Sequence, residues 1–253
     1  MGHPDPIAFT IFGIDIRWYG ILIAFGMLAA VLLSCRRAPR HGFTDEDVLD
    51  IALWMLPIGV IGARVYYVLF NLDYYTTFSS MLDIRSGGLA IHGGLIFGIL
   101  TVIVVARRKN IEPLNVLDCF IPTVALAQAI GRWGNFFNGE AHGGPTDLPW
   151  AILVDGEMVH PTFLYESIWC LILFFALSWF DKNKRTAHGQ TLALYLIFYS
   201  LERFFVESLR TDSLMIGPFR QAQVISVCAI IFGIILYLWS SKHKPIDAAQ
   251  DQQ

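Results

Sequence analysis

Long apolar stretches recur along the chain, at 18–34, 48–70, 87–106, 116–132, 162–180, 190–209 and 222–240. A helix rises 1.5 Å per residue, so about 17–25 residues cross the roughly 30 Å of bilayer hydrocarbon. In lipid a spanning segment must satisfy its own backbone hydrogen bonds, so each stretch is predicted to be a helix. The competing explanation is a large soluble helical core. It needs strongly polar outer helix faces, which these segments lack. The pattern predicts an all-α polytopic membrane protein with seven transmembrane helices over 18–240.

The connections orient the bundle. Arg36, Arg37 and Arg40 follow the first span, Arg107, Arg108 and Lys109 the third, Lys182, Lys184 and Arg185 the fifth, and Lys242 and Lys244 the seventh. Basic clusters in alternate connections mark the cytoplasmic side. The N-terminus is then outside and the C-terminus inside. Residues 1–17 read as an extracytoplasmic arm lying at the interface, with no basic start of a signal peptide. Residues 241–253 read as a polar cytoplasmic tail, disordered after Pro245. The connection over 134–161 is too long for a simple linker. Within it Asp155-Gly156 separates two short apolar runs, a hairpin signal because both residues tolerate positive φ. A small extracytoplasmic head is expected there.

Composition narrows the class further. Of 253 residues, 55% are hydrophobic and 15% charged, against roughly 45–50% and 25% in soluble domains. The formal charge of −3 argues against a nucleic-acid partner. Cys35, Cys119, Cys170 and Cys228 are scattered and form no CxxC, and with no HxxxH pair either, nothing suggests a metal or a disulfide framework.

Seven basic residues fall outside the cytoplasmic clusters: Arg17, Arg64, Arg85, Arg132, Arg203, Arg210 and Arg220. A charge inside a span costs about 2.5–3.5 kcal/mol even on the lenient insertion scale, so it needs a partner or a purpose. With the orientation above, Arg64, Arg132, Arg203 and Glu207 sit in the outer halves of their spans, with Tyr19, His92, Tyr165 and Glu166. All unusual polar residues then map to one leaflet, which predicts a single polar site there and argues against an ion path. Tyr199, Arg203 and Glu207 are four apart and form one helix stripe. Arg203 and Glu207 either serve the site or neutralise each other, and Glu202 is placed to pair with another helix. Arg210 and Arg220 read as surface residues at helix ends. His92 lies among Gly87, Gly88, Gly93 and Gly94, where backbone or ligand can approach closely. It is either a structural histidine or a functional one, and the flanking glycines favour function. Gly94 and Gly98 also make a GxxxG packing motif. Arg132, Asn135, Asn138 and Glu140 close the fourth span, where arginine's planar fork suits a phosphate.

The run over 131–140, GRWGNFFNGE, resembles the signature of the bacterial prolipoprotein diacylglyceryl transferases. Trp18-Tyr19-Gly20, His92-Gly93-Gly94-Leu95, the His160–Glu166 run HPTFLYE and Tyr199-x-x-x-Arg203-x-x-x-Glu207 resemble family segments in the same order. The resemblance implies a plasma-membrane enzyme that moves the diacylglyceryl group of phosphatidylglycerol onto the lipobox cysteine of a preprolipoprotein. A thioether forms and glycerol phosphate is released at the outer leaflet. It implies no cofactor. It points to His92, Arg132, Arg203 and Tyr19 as catalytic, and to Asn135, Glu140, Gly143, Arg64, Tyr199 and Glu207 with Arg132 as phosphatidylglycerol contacts. His92 is a candidate base or a holder of headgroup hydroxyls. Glu140 and Glu207 either orient the arginines or act as base. A transporter would need polar groups at both depths, a lipid phosphatase a nucleophile or metal, and a purely structural protein would leave the clustered charges unexplained.

Overall fold

The computed structural model describes residues 5–75, 77–84, 87–211 and 213–246, so Arg85 and the tail beyond Ile246 lie outside the described residues. The elements run β1 (Ile7–Ile11), β2 (Ile14–Arg17), α1 (Trp18–Arg37), α2 (Asp45–Leu69), α3 (Phe78–Leu82), α4 (Ile91–Arg108) and α5 (Pro113–Asn138). They continue with β3 (Ile152–Val154), β4 (Glu157–Val159), α6 (Thr162–Asn183), α7 (Gln190–Leu209), β5 (Met215–Ile216), β6 (Phe219–Arg220) and α8 (Gln221–His243). Six of the described helices are long and apolar enough to cross a membrane: α1, α2, α4, α5, α6 and α8. Their outward faces are apolar, as at Leu53 (68% exposed) and Leu238 (65%). A soluble bundle would bury such residues. Helix α7 has the expected bounds, but Glu202, Arg203 and Glu207 take it out of the apolar class.

Three other expectations change. The third apolar stretch becomes helical only at Ile91, because Gly87 and Gly88 have φ of 91° and 78°. That left-handed backbone cannot join a right-handed helix. Helix α5 continues past Arg132 to Asn138, so most of the GRWGNFFNGE run is helical. The N-terminal arm is a β-hairpin turning at Phe12 and Gly13, with φ of 49° and 78°. Phe-Gly is not a turn signal in sequence, because phenylalanine rarely takes positive φ. The hairpin predicted from 151–154 and 157–160 forms as β3–β4, with Asp155 and Gly156 at φ of 51° and 88°.

The chain divides into two compact units, Ser34–Leu117 and the remainder. In Ser34–Leu117, Thr44 and Asp47 form a capping box at the start of α2, satisfying two backbone N–H groups. The Lys109 ammonium at the end of α4 lies 2.8 Å from Asp47 and 2.6 Å from Asp50. Helices α2 and α4 cross where Gly62 faces Gly93. A Cβ on Gly93 would sit 2.3 Å from the Gly62 carbonyl oxygen, whereas one on Gly94 would be 3.5 Å from that of Gly59. The close approach is thus at Gly93 rather than at the expected Gly94–Gly98 pair.

In the other unit Ala125, Leu173, Leu177 and Tyr195 form a buried core. Gly233 lets α8 approach α7, since a Cβ there would lie 2.9 Å from the Ala193 carbonyl oxygen. Asp118, fully buried, accepts from the backbone N–H of Gly189 at 2.6 Å and of Leu192 at 2.8 Å, and lies 3.5 Å from Arg185. A carboxylate here complements the N-terminal dipole of α7. Asp118 precedes Arg132 by 14 residues on one helix, about 21 Å. Buried polar groups therefore occur at both depths, not one. This second set is structural, tying the start of α7 to α5.

Candidate active site

Helices α5, α6 and α7 bring a charged cluster together near one set of ends. Arg132 lies six residues before the end of α5, Glu166 four after the start of α6, and Arg203 six before the end of α7. At 1.5 Å per residue these are similar depths, about 6–9 Å. The segment carrying β3–β4 joins α5 to α6 at that end, so the two helices present their charged turns side by side.

Glu166 is the hub. Its carboxylate, 1% exposed, lies 2.5 Å from Arg132 Nη2, 3.6 Å from Arg203 Nη1 and 3.8 Å from Arg210 Nη1. Arg132 Nη2 also donates to the Tyr199 hydroxyl at 3.2 Å. Tyr199 stacks on Tyr195, whose hydroxyl donates to Gln128 Oε1 at 2.7 Å. Arg203 Nη2 pairs with Glu207 at 2.5 Å. The self-neutralising pair on α7 therefore exists, yet it uses only one arm of the fork. Arg203 Nη1 is buried without a hydrogen-bond partner among the described residues. A buried orphan donor costs free energy unless a ligand satisfies it. Arg210 is not a mere surface residue: its side chain is 13% exposed and faces Glu166. Arg220 is tied as well, donating to the carbonyl oxygens of Glu207 and Arg210.

The remaining predicted residues of this unit lie at the end of α5, in the segment after it and at the start of α1. Asn135 Nδ2 and Asn138 Nδ2 both donate to Glu140 Oε1 at 3.1 Å, closing the end of α5. Gly143 donates to the His160 carbonyl at 2.9 Å and bridges Arg210. A Cβ on Gly143 would meet His160 Cβ at 2.7 Å, so glycine is required where the head crosses the end of α7. The Tyr19 ring packs on Gly134, where a Cβ would lie 2.6 Å from Tyr19 Cδ2.

Arg64 and His92 belong to the Ser34–Leu117 unit. Arg64 is buried and its fork donates to the carbonyls of Met81, Gly87, Gly88 and Ser80 at 2.7–3.0 Å. Four of its five N–H donors are thus used, two by carbonyls of α3 and two by the glycines before α4. His92 is exposed in the first turn of α4, with its ring 6.0 Å from that of Tyr66. Sequence reasoning placed Glu166 at the right depth but gave it no role. An acid four residues into an apolar helix, level with two arginines, was the available signal. Glu202, expected to pair with another helix, is 8% exposed and neither oxygen has a hydrogen-bond partner among the described residues.

Comparison with known proteins agrees with the motifs. The family model described as prolipoprotein diacylglyceryl transferase matches residues 6–239. The phosphatidylglycerol–prolipoprotein diacylglyceryl transferase of Clostridioides difficile (strain 630) is 55% identical over 248 residues, 98% of this chain and 100% of that protein. The protein of the same name from Finegoldia magna is 49% identical over 235 residues, 92% of this chain and 95% of its own. That from Staphylococcus carnosus is 42% identical over 260 residues, covering 97% and 94%. With a match across nearly its whole length and relatives this similar end to end, the chain belongs to the prolipoprotein diacylglyceryl transferase family.

Proposed function

We propose that the protein transfers the diacylglyceryl group of phosphatidylglycerol to the lipobox cysteine of preprolipoprotein signal peptides. The observation that carries this reading is the Arg132–Arg203 pair, with Arg203 Nη1 a buried donor 3.6 Å from Glu166 that makes no hydrogen bond among the described residues. The thiol loses its proton to a base, since the thiolate is the nucleophile. Its sulfur attacks the glycerol carbon of the donor. The C–S bond forms as the C–O bond to phosphate breaks, and glycerol phosphate departs with the electron pair. The charge growing on that phosphate needs donors already in place. Arg132 and Arg203 supply them, while Glu166, Glu207 and Tyr199 fix the two forks. Asn135, Glu140 and Gly143 hold the end of α5 and the head that borders the clamp, and Tyr19 packs there too. His92 either takes that proton, as a neutral imidazole nitrogen can, or holds the headgroup hydroxyls.

Seven spans, counting α7, with N-terminus outside and C-terminus inside, put the clamp and the head on the outer side of the bacterial plasma membrane and residues 241–253 in the cytoplasm. The basic alternation described above supports this arrangement. The experiment is transfer of labelled diacylglyceryl to a lipobox peptide by purified protein. A thioether-linked product is expected from the wild type, with strong loss in Arg132→Lys and Arg203→Lys.

A further inference from the structure

Thr101, Thr123, Ser208 and Ser241 each donate to a carbonyl of their own helix, three or four residues back, as hydroxyls within helices commonly do. Ser167, buried on α6, does not. Its hydroxyl donates across to the Ala129 carbonyl of α5 at 2.8 Å and accepts the indole N–H of Trp133 at 3.1 Å. A serine hydroxyl has one hydrogen to give and lone pairs to receive, so it both gives to and takes from a single turn of α5. Ala129 stands three residues before Arg132, and Trp133 one after it. Ser167 itself directly follows Glu166, whose carboxylate lies 2.5 Å from Arg132.

The ion pair alone does not fix the two helices. Arginine and glutamate side chains have many rotamers and can stay in contact while the backbones slide. The neighbouring rings do not fix them either. Phe163 of α6 meets Trp133 edge-on at 5.4 Å and stacks on Phe136 at 4.8 Å, and apolar burial is non-directional. Serine reaches only one carbon beyond its backbone, so its bond to a carbonyl holds the α6 backbone at a set distance from that of α5. Bonds of this kind between membrane helices add little to stability on average. Their effect on reaction geometry is larger, because a misplacement of about 1 Å can cost about a hundredfold in rate.

We propose that Ser167 is a positioning residue that locks α6 against the turn of α5 carrying Arg132, so that Glu166 aims the Arg132 fork at the departing phosphate. This rests on the reading of Arg132 as one arm of the phosphate clamp. Ser167 acts through Glu166 and touches no reacting atom.

The test measures kcat per folded molecule, the KM for phosphatidylglycerol and thermal unfolding in Ser167→Ala, alone and combined with Glu166→Gln. In the single variant kcat is expected to fall by about tenfold or more, equivalent to about 1.4 kcal/mol, with KM changed less and the unfolding temperature lowered only slightly. In the Glu166→Gln background the same substitution should cost little further turnover, because the group it positions is already altered. Ser167→Cys keeps the size and offers only a weak donor, so it carries the test if the alanine variant does not fold. Unchanged kcat per folded molecule overturns the proposal, whatever happens to stability. An equal fold-loss with Glu166 intact and with Glu166→Gln overturns it too, because Ser167 would then act independently of Glu166. Failure of the underlying reading looks different: Arg132→Lys, with Ser167 intact, would turn over normally.

Discussion

Replacing Arg203 by lysine keeps the charge and removes the fork. Arg203 reaches Glu207 through Nη2 at 2.5 Å, while Nη1 stays 3.6 Å from Glu166 and without a hydrogen-bond partner. A lysine ammonium is a point charge. It can hold Glu207 or meet a phosphate oxygen, but it has no second arm for both. The variant therefore loses one charge-assisted contact to the departing phosphate, in a site whose carboxylates are almost wholly buried. Such a contact contributes about 2–4 kcal/mol, or roughly 30- to 1,000-fold in rate. Folding should suffer far less, because the charge that balances Glu207 is retained. Arg203→Met is the contrasting variant. It strands the buried Glu207 carboxylate, while Glu166 keeps Arg132, at a cost of about 3–5 kcal/mol, and should lower the unfolding temperature. The assay is single-turnover transfer from labelled phosphatidylglycerol at saturating lipid, with unfolding followed in parallel. Near-normal transfer by Arg203→Lys would refute the clamp, and the arginine would then be only the structural partner of Glu166 and Glu207.

Glu166→Gln should cut transfer and lower stability together, because one substitution weakens pairs to Arg132, Arg203 and Arg210; loss of transfer with unchanged unfolding would show that the hub is not structural. Asp118→Asn leaves one of two backbone N–H groups short of an acceptor and should cost about 1–3 kcal/mol, visible in thermal unfolding, while transfer per folded molecule stays at wild-type level. Gly93→Val forces α2 and α4 apart at a contact that leaves no room for a Cβ; it should destabilise by at least about 1–3 kcal/mol, and wild-type stability would contradict the crossing. His92→Gln distinguishes base from headgroup contact: a slower single-turnover rate with lipid binding intact marks the base, whereas weakened binding with an unchanged rate at saturating lipid rules it out.

The long helices were legible because apolar runs of this length favour a helix that satisfies its own backbone, and α7 and α8 fall within a few residues of the stretches at 190–209 and 222–240. The boundary at Ile91 was not, because hydropathy does not register the left-handed backbone at Gly87 and Gly88. The β3–β4 hairpin carried an Asp-Gly signal and was found; the β1–β2 hairpin turns on Phe12 and carried none. At the site, Arg132 and Arg203 stood out because charge in an apolar run is costly. Glu166 and Arg210 did not, since ion pairing across three helices depends on side-chain direction, which spacing along one helix cannot give. Arg64 shows the opposite limit. Its need of partners was predictable from cost alone, but its acceptors are backbone carbonyls of α3 and of the glycines before α4, and no sequence pattern announces a carbonyl pointing inward.

The most direct test is to reconstitute the purified protein with phosphatidylglycerol labelled on its acyl chains and a peptide bearing a lipobox cysteine, then analyse the product bond. Label is expected on the cysteine in a linkage that survives hydroxylamine, as a thioether does, with glycerol phosphate released in equal amount and no transfer to a cysteine-to-serine peptide. Diacylglycerol formed by water, or an unlabelled peptide in the presence of folded protein, would contradict the assignment of this chain as a diacylglyceryl transferase.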